Sequence, residues 1–202
     1  MILCVTGPMA AGKNLASKIL EEKGFFCIDA DLAAHTAIEN SREKILSAFG
    51  PLASEKGISL TDSEGKINRR NLGAIIFSDA ALVSKQEAIV YPEITRILED
   101  FISEHSGHDV VINATVLYKI PLIKQMDAVL FVDSPVFMRF LRAKKRDGMP
   151  ARQILDRFGN QKNLFAKYKI SNADTRRVWN VGSRQSLEKK IEIFLGKCRQ
   201  GK

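Results

Sequence analysis

The sequence predicts an α/β fold, in which short buried strands alternate with helices. Apolar runs without polar alternation, such as Phe25–Ile28 and Ala128–Val132, are typical of parallel strands covered on both faces. The first strand-like run, Met1–Thr6, leads into a glycine-bounded loop and then into a segment with helical apolar spacing. Further strand-like runs follow at Asp109–Ile112 and Thr175–Trp179. At 202 residues, one compact domain spanning 1–202 with inserted segments is expected.

The loop after the first strand has the spacing of a phosphate-binding loop. Gly7 and Gly12 bracket four residues and Lys13 follows, which gives the pattern G-x-x-x-x-G-K between a strand and a helix. Glycine lets the backbone wrap round an anion, and the loop amides and the positive end of the helix then face the phosphates. Lys13 adds a cation that reaches the β- and γ-phosphates. Asn14 stands where a Ser or Thr ordinarily offers its hydroxyl to Mg²⁺, and a plain glycine turn before a helix remains the alternative.

The composition suits a protein that binds polyanionic ligands. The chain holds 31 Lys and Arg against 23 Asp and Glu, a net charge of +8 that favours nucleotides or nucleic acid. The basic residues form no stripe interleaved with aromatics, so nucleic-acid binding is the weaker interpretation. Cys4, Cys27 and Cys198 have no metal or disulfide spacing. No signal peptide precedes the first strand, and no apolar stretch approaches the roughly 18 residues of a membrane span. We therefore expect a cytoplasmic protein with reduced thiols and no membrane contact.

Two acids follow the second strand-like run, at Asp29 and Asp31. Ligands of open α/β sheets bind beyond the carboxyl ends of the strands, which is also where the phosphate loop lies. We interpret these carboxylates as functional, with Asp31 also capping a helix from Leu32 to about Glu39. The alternative is that both acids are only helix caps. His35, one turn beyond Asp31, would orient its carboxylate or be structural.

A helical block separates the second strand from the third. A short helix is predicted over Ser41–Phe49, broken by Gly50–Pro51, and another helical segment begins within Ile67–Phe77. Asp79 to about His105 is helical again, and Pro92 is expected to kink or split it. A sheet kinase carries its acceptor-binding insertion at this place, although simple packing would explain the block equally well.

Two basic helices are predicted after the fourth strand. Val136–Arg146 carries a dense set of cations, and Ala151 to about Asn160 follows a Gly-Met-Pro break. This arrangement is typical of a lid that clamps phosphates on closing, and a solvated charged face is the alternative. The last predicted helix runs from about Gln185 to Leu195.

The ordered set of motifs resembles the dephospho-coenzyme A kinase family over essentially the whole chain. The matching stretches are Gly7–Asn14, Asp29–His35, Gly65–Leu72, Tyr91–Ile94, Arg142–Gly148, Gln161, Ala173–Asp174 and Asn180–Ser183. The resemblance implies a nucleoside-monophosphate-kinase-like P-loop fold with five parallel strands flanked by helices. It also implies a core of about 1–30, 107–135 and 170–202, an acceptor-binding insertion of about 31–106 and a lid of about 136–169.

The resemblance further implies phosphorylation of the ribose 3′-hydroxyl of dephospho-CoA by ATP with Mg²⁺. The implied catalytic residues are Asp31, which orients or deprotonates that hydroxyl, Lys13 and Arg142. The implied ATP-binding residues are Gly7, Ala10, Ala11, Gly12, Lys13, Asn14, Leu15, Arg142, Arg146, Asn180 and Gly182, with Asn14 also nearest the metal. The implied acceptor-binding residues are Asp31, His35, Arg70 and Leu72.

Three positions depart from the family pattern. Asn14 replaces Ser or Thr, Tyr91 stands where His usually precedes the proline, and Lys119 reverses the charge of a usual Glu. Two other functions therefore stay open. One is a different small-molecule kinase of the same fold, and the other is a nucleotide-binding protein with little catalysis. The expected partners are ATP and dephospho-CoA, without nucleic acid or membrane, and the expected assembly is a monomer or a weak homo-oligomer.

Overall fold

The computed structural model describes residues 1–171 and 173–200. Position 172 and the last two positions of the predicted 170–202 core segment lie outside the described residues. The chain divides into two compact units. The first contains Met1–Asp29 and the chain from Ile102 onward, and the second contains Ala30–Phe101. The predicted roles of the insertion and of the lid stay predictions.

The described part of the first unit contains a five-stranded sheet in which every pairing is parallel. The strands are β1 Ile2–Thr6, β2 Phe26–Asp29, β3 Val110–Asn113, β4 Ala128–Asp133 and β5 Thr175–Trp179. Their order in the sheet is β2-β3-β1-β4-β5. The predicted α/β fold with five parallel strands is confirmed, and each strand lies within one residue of the corresponding apolar run.

Helices connect the strands and make up the second unit. In chain order they are α1 Lys13–Glu22, α2 Ala30–Asn40, α3 Arg42–Glu55, α4 Arg69–Ile76, α5 Ala80–Glu104, α6 Val136–Asp147, α7 Ala151–Asn160, α8 Leu164–Ile170 and α9 Arg184–Gln200. Helix α1 ends before Gly24, whose φ of +91° is the left-handed conformation that glycine adopts readily after a helix. Two 3₁₀ turns, Leu117–Lys119 and Pro121–Gln125, follow β3.

The predicted break at Pro51 is wrong, and Pro92 does not split its helix, while a kink there stays a prediction. Helix α3 continues through Pro51 to Glu55, and α5 is one element through Pro92 rather than two. In α3, Phe49 before the proline and Ala53 after it are both buried in the same apolar cluster. Packing of one helix face on both sides of the proline therefore outweighs the hydrogen bond that the proline removes.

Two other helix boundaries and one whole helix differ from prediction. Helix α2 begins at Ala30, directly after β2, so Asp31 lies in its first turn and does not cap a helix from Leu32. Helix α8 was not predicted, because its seven residues bury only Leu164 and Tyr168. Helix α9 extends to Gln200, five residues beyond the predicted end.

Each unit has its own apolar core. In the first unit, side chains of β1 and β4 pack with the buried faces of α1 and α9, including Leu3, Leu130, Leu20 and Phe194. Burial of Cys4 raises its pKa to about 12, and burial of Cys27 raises its pKa to about 11, so both thiols stay protonated at neutral pH.

The second unit is held together by helix packing, and surface hydrogen bonds and ion pairs add to it. Its core contains Ile45, Phe49, Leu60, Ile67, Leu72, Ile75 and Val90, with smaller side chains between them. Arg96 and Asn40 both bond the carboxylate of Glu93, which joins α2 to α5. Among residues 1–171 and 173–200, no helix combines the length and apolarity needed to cross a membrane.

Candidate active site

The glycine-bounded loop lies where the sheet reverses its direction of winding. Strand β1 is central, with β3 on one side and β4 on the other, and the chain passes from β3 to β4 across it. Ligands of open α/β sheets bind at such a position, beyond the carboxyl ends of the strands. The loop leaves β1 after Thr6 and enters α1 through Gly12, which occupies the N-cap position. The first N–H groups of α1 lack partners within the helix, so this end attracts anions.

Only glycine fits at positions 7 and 12, because neighbouring atoms leave no room for a side chain and because both residues have positive φ angles. Gly7 has a φ of +153° and Gly12 a φ of +108°. A Cβ on Gly7 would lie 2.1 Å from the carbonyl oxygen of Val132 on the neighbouring strand. A Cβ on Gly12 would lie 2.2 Å from Nδ2 of Asn180. No side chain fits at either place, so the glycine spacing follows from the packing of the loop against β4 and the segment after β5.

Asn180 holds the loop against the sheet. This residue directly follows β5 and is 5% exposed. Its Nδ2 donates to the carbonyl of Ala11 at 2.9 Å, and its backbone N–H donates to the carbonyl of Asp133 at 2.7 Å. Its own carbonyl accepts from Ser134 Oγ at 2.9 Å. Asn180 was predicted to lie near ATP, and the structure places it directly beneath the loop.

Arg142 connects α6 to Asn180, Ser134 and the carbonyls of the loop. Its Nη2 donates to the carbonyl of Asn180 at 3.1 Å, and its Nη1 lies 3.2 Å from Ser134 Oγ. Nη1 also approaches the carbonyls of Ala10 and Ala11 at 3.5 and 3.4 Å. The predicted lid arginine therefore touches the loop in this structure, with its guanidinium half-buried among oxygen acceptors.

Arg139 is a second α6 arginine at the loop, and it was not among the predicted site residues. Its Nε donates to the carbonyl of Met9 at 3.0 Å, and its guanidinium stacks 4.2 Å from the ring centre of Phe158 on α7. Burial lowers its pKa, an effect that the negative charge of Asp133 opposes. The ordinary pKa of arginine is so high that the guanidinium group stays charged at neutral pH. Gln161 completes the contact, because its Oε1 accepts from the Met9 N–H at 2.7 Å.

Arg146 lies further along α6 and does not share these contacts. Its side chain is exposed and bonds both carboxylate oxygens of Asp147, at 2.6 and 2.8 Å. This bond lowers the pKa of Asp147. The predicted contact between Arg146 and ATP stays a prediction.

Asn113 connects the loop to two strands, and sequence reasoning missed it. It is the last residue of β3, is 3% exposed, and lies in register with Val5 of β1 and Asp29 of β2. Its Oδ1 accepts from Lys13 Nζ at 3.3 Å. Its Nδ2 lies 3.2 Å from Asn14 Oδ1 and 3.5 Å from Asp29 Oδ2. The signal available in the sequence was a polar residue directly after a buried apolar run, the same signal that identified Asp29.

Other predicted ATP-binding positions surround this set. Ala10 has a φ of +60°, which shapes the loop, and Ala11 is fully buried. The Leu15 side chain packs against the core of the first unit, so any contact it makes with ATP would come from its backbone. Gly182 is exposed and lies two residues beyond Asn180. The roles of these residues in ATP binding stay predictions.

The predicted acceptor-binding residues belong to the second unit. Asp31 is exposed in the first turn of α2, and His35 is exposed one turn later. Arg70 is exposed near the start of α4, where Asn68 caps the helix through the Asn71 N–H. Leu72 is 2% exposed and lies in the core of this unit. Leu72 therefore supports the helix that carries Arg70, and direct contact of these residues with an acceptor stays a prediction.

The oxygen atoms around Asn113 suit a metal ion that arrives with a nucleotide. Within the described ranges 1–171 and 173–200, no cluster of three or more His, Cys, Asp or Glu side chains is arranged to hold a metal. Asn14 Oδ1 and Asp29 Oδ2 nevertheless both lie within 3.5 Å of one nitrogen. A hard divalent cation that keeps waters and substrate phosphates needs only one or two protein oxygens. The donor set fits such an ion, and a divalent metal is expected for a kinase that uses ATP.

A parallel sheet with this loop at its point of reversal, a loop lysine and an arginine helix against the loop together define a P-loop kinase. The family profile described as dephospho-CoA kinase matches residues 1–176. The chain therefore belongs to the dephospho-CoA kinase family, which confirms the resemblance inferred from the motifs.

Two relatives bear the name of this family, and one solved structure is similar to the chain over nearly its whole length. Dephospho-CoA kinase of Treponema denticola is 36% identical over 195 residues, covering 95% of this chain and 87% of the relative. Dephospho-CoA kinase of Treponema pallidum is 34% identical, covering 96% and 93%. The crystal structure of Thermus thermophilus TT1252 is 26% identical and superimposes with a TM-score of 0.80, covering 98% of this chain and 97% of the other.

One further solved structure supports the fold alone. Shikimate kinase from Bacteroides thetaiotaomicron is 13% identical with a TM-score of 0.55, covering 97% of this chain and 98% of the other. Kinases of other small molecules share this fold. The residues alone therefore did not exclude a different small-molecule kinase. The family match over residues 1–176 does not favour that alternative or a non-catalytic nucleotide binder.

Proposed function

We propose that the chain transfers the γ-phosphoryl group of ATP to the 3′-hydroxyl of the dephospho-CoA ribose, giving coenzyme A and ADP. Membership of the dephospho-CoA kinase family over residues 1–176 is the observation that carries the proposal. The reaction would be the last step of coenzyme A synthesis. The proposed setting is the cytoplasm, with a monomer or weak homo-oligomer that acts without nucleic acid or membrane.

The loop supplies the binding site for the donor. Asn180 donates to the carbonyl of Ala11, which fixes the curvature of the loop. A rigid loop presents its remaining N–H groups and the positive end of α1 to the phosphates without reorganisation. Lys13, whose ammonium group bonds Asn113 in this structure, would bind the β- and γ-phosphates.

The transfer step needs little covalent chemistry from the protein. The bond between the γ-phosphorus and the β–γ bridging oxygen breaks, and a bond between that phosphorus and the ribose O3′ forms. The hydroxyl proton passes to a base, for which we propose Asp31. Arg142 and Lys13 would stabilise the charge on the transferring group, so positioning and fixed cations supply most of the rate.

Mg²⁺ is the proposed metal, because it accompanies ATP in kinases and neutralises charge on the β- and γ-phosphates when bound. Asn14 and Asp29 would hold it through oxygen atoms or through its waters. For the acceptor, exposed Arg70 suits the pyrophosphate of dephospho-CoA, since guanidinium groups bind phosphate oxygens bidentately. His35 would orient the Asp31 carboxylate.

A panel of acceptors with radiolabelled ATP tests the proposal. We expect labelled coenzyme A from dephospho-CoA, with little label on shikimate, adenosine or nucleoside monophosphates. Lys13→Ala is the matched control, because its half-buried side chain points from a helix start and its loss should lower turnover about 10²-fold or more without unfolding the protein. Faster labelling of another acceptor would refute the assignment of dephospho-CoA.

A further inference from the structure

We propose that Asn113 is a positioning residue for phosphoryl transfer and forms a matched pair with Asn14. The donor group of Asn113 complements the acceptor oxygen of Asn14, which replaces the hydroxyl residue usual at that position. The role presupposes the proposed kinase function and deepens it, because it says how the loop lysine and the residue after it are held before ATP binds.

The geometry uses both ends of one carboxamide. An Asn side chain has one oxygen that accepts and one NH₂ group that donates two hydrogen bonds. In Asn113 the oxygen accepts from Lys13 Nζ at 3.3 Å, and the nitrogen faces Asn14 Oδ1 at 3.2 Å and Asp29 Oδ2 at 3.5 Å. Three groups of the site are therefore tied to one buried side chain at the end of β3.

The groups that face position 113 determine which type of side chain fits there. Both groups near Nδ2 are oxygen acceptors, so the side chain there must donate. A carboxylate of the same size would still accept from Lys13, but it would repel Asp29, and Asn14 could bond it only by turning its NH₂ group inward in place of its oxygen. The pattern reverses if position 14 carries a hydroxyl, because a hydroxyl donates and a carboxylate at 113 accepts. The two positions are thus expected to change together.

The pair has a consequence for the reaction. Asn113 turns the carbonyl oxygen of Asn14, rather than its NH₂ group, toward the acidic side of the site, where a cation is tolerated. It also restrains the Lys13 ammonium group at the base of the loop. Groups held in place before ligand arrives lose less freedom on binding and need less reorganisation during transfer. Asn113 itself need not touch the reacting atoms.

A double-mutant cycle tests the pairing in the full-length protein. The four proteins are wild type, Asn14→Thr, Asn113→Asp and the double variant. Each is assayed for ATP affinity by calorimetry in EDTA and for kcat and KM with MgATP and dephospho-CoA. We expect Asn113→Asp to weaken metal-free ATP binding by about 5- to 150-fold, because it replaces the donor that faces Asn14 with a negative charge. The double variant should recover at least about fivefold of that loss.

A comparison of kcat with KM separates positioning from simple loss of structure. Asn113→Asp should lower kcat while the KM for dephospho-CoA changes little, because Asn113 acts through Lys13 and Asn14 rather than on the acceptor. Asn14→Thr added to Asn113→Ala is the matched control and should restore nothing, because alanine offers the hydroxyl no acceptor.

Additive effects of the two substitutions on both ATP affinity and kcat would overturn the pairing. If Asn113→Asp does not fold, Asn14→Leu tests the same bond from an exposed position. Unchanged metal-free ATP affinity in that variant would also overturn the proposal. Failure of the proposed function is distinguishable, since wild type would then bind ATP without forming coenzyme A, while the binding cycle in EDTA still reports on the pair.

Discussion

Gly12→Ala is the substitution with the most sharply defined effect on the phosphate loop. The added methyl group would lie 2.2 Å from Asn180 Nδ2, whereas unstrained contacts of this kind lie at about 3.5 Å. The Asn180 carboxamide must therefore move by about an ångström, which breaks its 2.9 Å bond to the Ala11 carbonyl. The loop would lose the group that holds it from behind.

Gly24→Ala provides a matched control within the same unit. Gly24 also has a positive φ, +91° against +108° for Gly12, but a Cβ there would meet nothing within 4 Å. Both variants carry a backbone cost of about 1–2 kcal/mol. Only Gly12→Ala adds the clash and leaves the buried Ala11 carbonyl without its amide donor, worth about 1–3 kcal/mol more.

The assay combines urea unfolding with ATP binding. Gly24→Ala is expected to lower the free energy of unfolding by the backbone cost alone and to bind ATP like wild type. Gly12→Ala should lose the additional 1–3 kcal/mol, roughly 2–12 °C in Tm, and should bind ATP at least about tenfold more weakly. Equal stability losses in the two variants, or wild-type ATP affinity in Gly12→Ala, would refute the reasoning.

The remaining predictions concern the acid, the lid arginine and one structural carboxylate. Asp31→Asn should lower kcat about 10²–10⁴-fold with little change in ATP affinity, because an amide cannot take the proton. If Asp29→Asn showed this loss and Asp31→Asn did not, Asp29 would be the base. Arg142→Ala should lower kcat about 10²-fold, because it removes a cation held at the loop. A rise in KM for ATP with kcat unchanged would mean that Arg142 binds substrate and transition state equally. Bonds from Arg96, with a further one from Asn40, lower the pKa of Glu93 from 4.5 to about 2. Its carboxylate therefore stabilises the fold fully above about pH 4.5, and this contribution is lost as the pH falls toward 2. The difference in urea-unfolding free energy between wild type and Glu93→Gln should shrink over that range, and a constant difference would contradict the assignment.

Strands and the phosphate loop were predictable because their signals are local. A run such as Ala128–Val132 has no polar alternation, and only a strand buried on both faces tolerates that. The loop follows from glycine spacing and from its place between a strand and a helix. These features need no knowledge of distant contacts.

The misjudged helices depended on packing that the sequence does not state. Pro51 ends a helix by local rules, but the buried residues on either side of it hold α3 together. Helix α8 has only two buried positions, four residues apart, which is too short a pattern to separate from a loop. The buried hydroxyl of Tyr168 in this helix donates toward the Thr115 carbonyl, a long-range contact that no spacing rule gives.

Site residues that act through register were also missed. Asn113 becomes important because parallel pairing brings the ends of β1, β2 and β3 to one edge. Arg139 and Arg142 both stood out as cations, yet only the fold shows that one contacts Met9 and the other the carbonyls of Ala10 and Ala11. The sequence therefore showed which polar and charged residues were candidates for the site, but not which atoms they would bond.

The central claim is transfer of one phosphoryl group from ATP to the 3′-hydroxyl of dephospho-CoA. The most direct measurement follows ADP and coenzyme A together by mass spectrometry, with dephospho-CoA or its 3′-deoxy analogue as acceptor. We predict one coenzyme A for each ADP from dephospho-CoA, and no phosphorylated product from the analogue. ADP formation without coenzyme A, or phosphorylation of the 3′-deoxy analogue at the same rate, would contradict the claim.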